Sequence, residues 1–399
     1  MVCDLVFEGG GAKGIAFIGA YAALEAADIR PKRLLGSSAG AIFATLITAG
    51  YSAEQLYSTF TDRTDTGASQ LAVFADVPDR FSAEMLANSS WAAVLKAIDV
   101  PAIPESVEQR VDQILLRGVT ALPAVRQLFS LIEAGGIYSG DAFLVWMRQQ
   151  LDNMDGLGSA TLAEMYEHTE LELSITAADV TDKRLMVLNH RTAPNLPVAM
   201  AVRMSMSAPF YWQEVIWEDA WGLYRGRNVS EHAIVDGGVL ANFPVELFLS
   251  TTPFVVDIMG APNDRLIALL LDDDTPVAGQ PSQIGRKPTP SRLLNRSLAL
   301  LDMMLQASTK DVLEAYNDKV IRLPAGGYQA FDFDLDAERI HALVEAAQEA
   351  ATAFLAIAPA HEQSGLRDAR DTYYVDSIAA RLLGAEIWNK EKTHPFALS

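Results

Sequence analysis

Three short stretches carry residues whose types and spacing could do chemistry. Glu8-Gly9-Gly10-Gly11-Ala12-Lys13-Gly14 follows the apolar run Leu5-Val6-Phe7, and Gly36-Ser37-Ser38-Ala39-Gly40 follows Arg33-Leu34-Leu35. Asp236-Gly237-Gly238 follows Ala233-Ile234-Val235. The first stretch matches G-x-G-x-x-G through Gly9, Gly11 and Gly14, which a dinucleotide fold would use to cradle phosphates. Such a fold also places an acid about 20 residues further on, at the end of the second strand, to bind ribose. Here the second strand runs into Gly36-Ser37 instead, and Asp28 lies earlier, before Pro31. The Gly-Lys-Ser/Thr of a P-loop is absent as well.

G-x-S-x-G between a strand and a helix is a nucleophile elbow, with Ser38 on a sharp turn that Gly36 and Gly40 permit. The plainer alternative is a glycine-rich helix start with Ser37 or Ser38 as N-cap. Both loops follow parallel strands, so both sit on the C-terminal edge of one sheet. Adjacent strands lie about 4.8 Å apart, close enough for the loops to share a site. A serine nucleophile needs donors aimed at the oxyanion it creates, and consecutive glycines supply unobstructed N–H groups. Lys13 and the helix start behind it add positive potential.

Serine also needs a proton acceptor. The six histidines, His168, His190, His232, His341, His361 and His394, lie in no recognisable catalytic context. Asp236 sits where a short strand delivers a carboxylate into a glycine turn, although Asp-Gly is also a common turn pair. Beside Ser38 and the glycine loop, a Ser–Asp dyad is the better reading. Its weak base must then gain from a desolvated site. Two rivals stay open: a Ser38, Asp236, His341 triad, in hydrolase chain order, and a nucleotide-responsive signalling module.

The elements that must position these groups follow from apolar spacing. Leu5–Phe7, a helix from Ile15 to Ala26, strand 33–35 and a helix from Ala39 to Ala49 make a parallel βαβ unit with a right-handed crossover. Residues 62–135 hold helical patches, among them Ser90–Ala97 and Val107–Leu116, and no convincing strand. Their apolar faces fit a lid or, more commonly, core packing. Further strands are predicted at 171–177, 184–189, 233–235, 265–271 and 320–323, and helices at 292–316 and 337–357. Asp272-Asp273-Asp274 opens a polar connection and reads as a solvated turn.

Half of the 399 residues are hydrophobic, so a sizeable core is expected. A net charge of −20 argues against nucleic acid and against electrostatic adsorption to an anionic membrane. The single cysteine, Cys3, makes an intrachain disulfide or a cysteine metal site impossible. The N-terminus has acids at Asp4 and Glu8 and no basic stretch, which predicts no signal peptide. No unbroken apolar run reaches the length of a membrane span. The expectation is a cytoplasmic protein with peripheral lipid contact.

Together, and in this order, the three motifs resemble the patatin-like phospholipase family. Weaker matches are Gly136–Gly140, Ala201–Phe210 and Val239–Pro244, and the resemblance runs from about Asp4 to Ser250. It implies a three-layer α/β/α fold around a mostly parallel sheet, with residues 1–360 as catalytic domain, 62–135 as a helical insertion and 361–399 as an extension. By the same resemblance Ser38 is the nucleophile and Asp236 the proton acceptor. The backbone N–H groups of Gly10, Gly11 and Ala12 would form the oxyanion hole. Gly9, Gly14, Gly36, Gly40, Gly237 and Gly238 complete the motifs. The implied activity is hydrolysis of fatty-acyl esters of phospholipids through an acyl-enzyme, with no cofactor and no metal. The sequence identifies no activating partner or small-molecule regulator.

Overall fold

The first fifty residues fold as their apolar spacing predicts. β1 (Val2–Phe7) leads through a short helical turn (Gly11–Ile15) into α1 (Ala16–Ala26), and β2 (Arg30–Gly36) leads into α2 (Ala39–Thr48). β1 and β2 pair in parallel, with Phe7 opposite Gly36. The structure, a computed structural model, describes residues 1–62, 69–79, 81–97, 122–263, 265–280, 296–297, 299–301, 303, 316–357 and 369–384. The predicted helix at 107–116 and most of that at 292–316 lie outside these residues.

The later strands are β3 (Gly136–Tyr138), β4 (Glu172–Asp179), β5 (Arg184–Leu188), β6 (Phe210–Trp212), β7 (Val215–Ile216), β8 (Ala233–Asp236), β9 (Leu266–Pro276) and β10 (Val320–Gly326). The main sheet runs β10-β9-β1-β2-β4-β8-β7, with β5 also on β4, while β3 and β6 form a separate parallel pair. From β10 to β4 every pairing is parallel; β5 and β8 run antiparallel to β4, and β7 antiparallel to β8. Strands buried on both faces need helices on both. Leu5, Phe7 and Leu34 pack with α1, α2 and the helix Ala337–Ile357. Val6, Leu35 and Leu270 face Phe248, Val255 and Ile258, with Val375 and Ala379 of the helix Ala369–Leu382. The fold is a mixed α/β, three-layer arrangement around a mostly parallel sheet.

Between residues 62 and 135 the described elements are all helical: Gln70–Val73, Ala83–Asn88, Ser90–Ala97 and Pro123–Glu133. One expectation fails next to the site. Strand β9 continues through Asp272, Asp273 and Asp274 to Pro276: Asp272 pairs with Pro324 of β10 and, past a register irregularity, Pro276 pairs with Gly326. A sheet ladder uses main-chain groups, so polar side chains on this outer stretch do not end it.

Arg33 is buried and donates to Asp4 through Nε at 2.9 Å, and to the carbonyls of Met259 at 3.0 Å and Phe248 at 3.2 Å. Its charge ties β1 and β2 to the helices beneath the sheet. Among the described residues, the helix Ala337–Ile357 alone is long and apolar enough to cross a membrane. Here its Ile340, Leu343, Val344 and Ala347 are buried in the core, and Gly19 of α1 admits the Val344 carbonyl so closely that a Cβ would clash.

Candidate active site

Ser38 stands between the end of β2 and the first turn of α2, with φ 50° and ψ −119°. A non-glycine residue at positive φ is strained, and the strain is held by what surrounds it. A Cβ on Gly40 would run into the carbonyls of Phe7 and Glu8, and one on Gly36 into the Gly40 backbone, so only glycines let the turn close against β1. The Ser38 N–H donates to Ser205 Oγ at 2.9 Å. Its side chain makes no helix-capping bond, so the plain N-cap reading is not realised. Ser37 points the other way: its buried hydroxyl meets Thr176 Oγ1 at 2.5 Å and donates to the Ala241 carbonyl at 3.0 Å.

Asp236 ends β8, opposite Ala177 of β4, while Gly36 lies opposite Ile175 of the same strand. The carboxylate therefore stands at the height of the Ser38 turn, on the far side of β4. It is 1% exposed, and burial raises its pKa from 3.8 to about 7. A hydrogen bond with the Ser38 side chain counters that rise, as does the Gly238 amide, which donates to Oδ1 at 2.8 Å. The Asp236 N–H donates to the Ser207 carbonyl at 3.0 Å. Ser207 is gripped in turn by the buried Arg203, which also donates to the carbonyls of Ser139 and Gln213. Gly237 lies so near Thr176 of β4 that a Cβ would meet its backbone.

The glycine loop faces this pair. A Cβ on Gly9 would come within 3.2 Å of Ser38 Cβ, and one on Gly14 within 2.9 Å of Ala39 Cβ. The Gly9 N–H donates to the Asn242 carbonyl at 3.1 Å. The amides of Gly10 and Gly11 have no partner among the described residues, whereas the Ala12 N–H donates to the Ala330 carbonyl at 2.8 Å. Gly11 has φ 57°. Lys13 does not present a free cation here: its Nζ donates to both carboxylate oxygens of Asp273 at 2.8 Å. That acid sits on the stretch of β9 expected to be a solvated turn.

An apolar cavity abuts Ser38, walled by Ile42, Phe43, Phe60, Phe74, Trp212 and Phe333. Its free space is about 30 Å³, enough for a water or two and not for an acyl chain. The wider hollows, of about 810 and 510 Å³, are lined by neither Ser38 nor Asp236. His341 is exposed, with Nδ1 at 3.4 Å from the Tyr57 hydroxyl, and is not brought to the pair. Asp179, Asp182 and His232 cluster closely, but Asp182 is already paired with Arg184 and Arg227. Ser205, Ala330, Trp212 and Phe333 were not singled out from the sequence. Only Ser205 carried a signal, as part of Ala201–Phe210.

The model of the patatin-like phospholipase family matches residues 5–249, a span holding all three motifs. The chain belongs to that family. As a patatin-like protein it is a lipid acyl hydrolase at the level of the family. It is similar to the uncharacterized protein YqhO of Bacillus subtilis (strain 168), 26% identical over 367 residues covering 89% of this chain and 98% of that one. Among solved structures it is similar to VipD from Legionella pneumophila, 16% identical, covering 98% of this chain and 76% of that one, with a TM-score of 0.47. It is also similar to ExoU in complex with SpcU from Pseudomonas aeruginosa, at 19% identity, 98% and 61% coverage and a TM-score of 0.37.

Proposed function

We propose that this patatin-like protein hydrolyses fatty-acyl esters of phospholipids or lysophospholipids through a Ser38–Asp236 dyad. The observation that carries the reading is the strained Ser38 turn facing a buried carboxylate whose pKa lies near 7. An acceptor so tuned is about half ionised at neutral pH and more basic than an ordinary carboxylate, which helps it take a hydroxyl proton.

Ser38 Oγ attacks the ester carbonyl as its proton passes to Asp236. The oxyanion forms against the amides of the glycine loop, for which Gly10 and Gly11 hold unpartnered donors and Ala12 a third. Collapse expels the alcohol, which takes the proton back from Asp236, and the acyl group stays on Ser38. Water then attacks the acyl-enzyme, gives its proton to Asp236, and the fatty acid leaves as Ser38 is regenerated. The aromatic and aliphatic wall beside Ser38 suits an acyl chain, and a lipid substrate calls for peripheral contact with a membrane. Residues 1–360 serve as the catalytic unit, with 62–135 as a helical insertion beside the site and 361–399 as an extension. The test is turnover of Ser38→Ala and Asp236→Asn on phospholipids, lysophospholipids and neutral esters. Full activity in both variants would end the assignment.

A further inference from the structure

We infer that the segment between β10 and the helix Ala337–Ile357, residues 327–336, is a built-in plug that occupies the oxyanion site of the resting enzyme; this rests on the reading of Ser38 and the glycine loop above. An amide carries one proton. The Ala12 N–H already donates its one hydrogen bond to the Ala330 carbonyl at 2.8 Å. That same oxygen fills the bare face of Gly11, where a Cβ would collide with it. A backbone carbonyl thus takes one of the three amides that an attacked ester carbonyl would need and sits against the glycine loop beside the other two, so the two carbonyls compete for the Ala12 donor.

The neighbouring side chains close the acyl space as well. Phe333 is a wall of the 30 Å³ cavity beside Ser38. Its ring lies 5.4 Å from Trp212, another wall, and Phe331 stacks on Tyr211 at 4.8 Å. The plug is fastened to the helix that follows it. Arg339 donates to Asp332 at 2.9 Å and to the Gly327 carbonyl at 3.2 Å, and its guanidinium lies over the Tyr328 ring at 4.7 Å. Tyr328 in turn donates to the Arg339 carbonyl at 2.7 Å. This clasp holds the start of the segment and Asp332, beside Ala330, to the helix that follows. Around Ala330 the segment meets the catalytic body through that main-chain hydrogen bond and the rings of Phe331 and Phe333, the contacts that opening has to break. Gly327, with φ 96°, begins the segment at a position suited to a hinge.

The test uses the full chain and reads closure apart from catalysis. Hydrogen exchange of the Ala12 amide is measured together with the rate at which a fluorophosphonate labels Ser38. The wild type is compared with Phe331→Ala/Phe333→Ala and with the milder Asp332→Asn, each shown by circular dichroism to be folded. Closure predicts a protected Ala12 amide in the wild type. It predicts labelling about tenfold faster in the aromatic variant and about two- to threefold faster in Asp332→Asn. Equal labelling of Ser38 in all three, or an unprotected Ala12 amide in the wild type, overturns the plug and leaves Ser38 as nucleophile. Faster exchange with Ser38 still unlabelled overturns the nucleophile reading, and the plug's inhibitory role with it.

Discussion

Asp236 and Ser38 meet at one height on opposite sides of β4, although their strands run in opposite directions. Asp236 closes the antiparallel β8 opposite Ala177, and Ser38 follows the parallel β2, whose Gly36 lies opposite Ile175. The carboxylate gains its raised pKa from burial and its orientation from the Gly238 amide and Ser38, while the Ser207 carbonyl fixes the Asp236 main chain.

The first prediction is a pH dependence. Only the ionised carboxylate can accept the proton, so kcat/KM should be level above pH 7 and fall about tenfold per unit below it. A pH profile between 5 and 9 checks this. The same shift acts on stability with the opposite benefit. The folded pKa of about 7 lies above the ordinary 3.8, so the group's stabilising contribution is full below pH 4 and lost as pH rises through 7. Asp236→Asn should therefore be inactive yet more stable at pH 8, by about 2–4 kcal/mol in urea unfolding.

Ser205 holds the elbow by accepting the Ser38 N–H. Ser205→Ala leaves that amide without its partner and should cost about 1–3 kcal/mol. Turnover should fall with little change in KM, and Ser205→Thr, which keeps a hydroxyl, should restore part of it.

Gly40→Ala should cost about 1–3 kcal/mol or more and abolish hydrolysis, because a Cβ there meets the carbonyls of Phe7 and Glu8. Thermal unfolding and an ester assay together read both effects.

His341→Ala should keep its stability within about 0.5 kcal/mol, and its turnover at the wild-type level, since the ring is exposed and touches Tyr57 rather than the dyad. A loss of turnover comparable with that of Ser38→Ala would restore the triad.

The buried Arg33 would lose its counter-ion in Asp4→Asn. Breaking such a pair typically costs about 3–5 kcal/mol. Denaturant unfolding should show that loss, with the acid dependence of Asp236 unchanged in the folded protein.

What was legible in the sequence was local turn chemistry. Gly36-Ser37-Ser38-Ala39-Gly40 announces its elbow because the bend itself demands glycine on both sides, and Asp236-Gly237-Gly238 announces a carboxylate in a turn. The parallel βαβ unit and the helix Ala337–Ile357 were equally plain, since a long apolar period survives any context. The hidden parts depend on distant segments docking. Ala330 acts through a main-chain carbonyl, which no side-chain pattern marks. Asp273 is exposed, as its sequence suggests, but it lies on a strand rather than in a turn and its partner Lys13 comes from a distant loop. Lys13 accordingly looked like a free cation near the oxyanion and is instead neutralised.

The measurement that tests the central claim most directly is the mass of the Ser38 peptide after acid quench during turnover of a phospholipid. The account predicts an acyl adduct on Ser38, none on Ser37, and none in Asp236→Asn. Undiminished turnover in Ser38→Ala, with no adduct on the wild-type peptide, would contradict it.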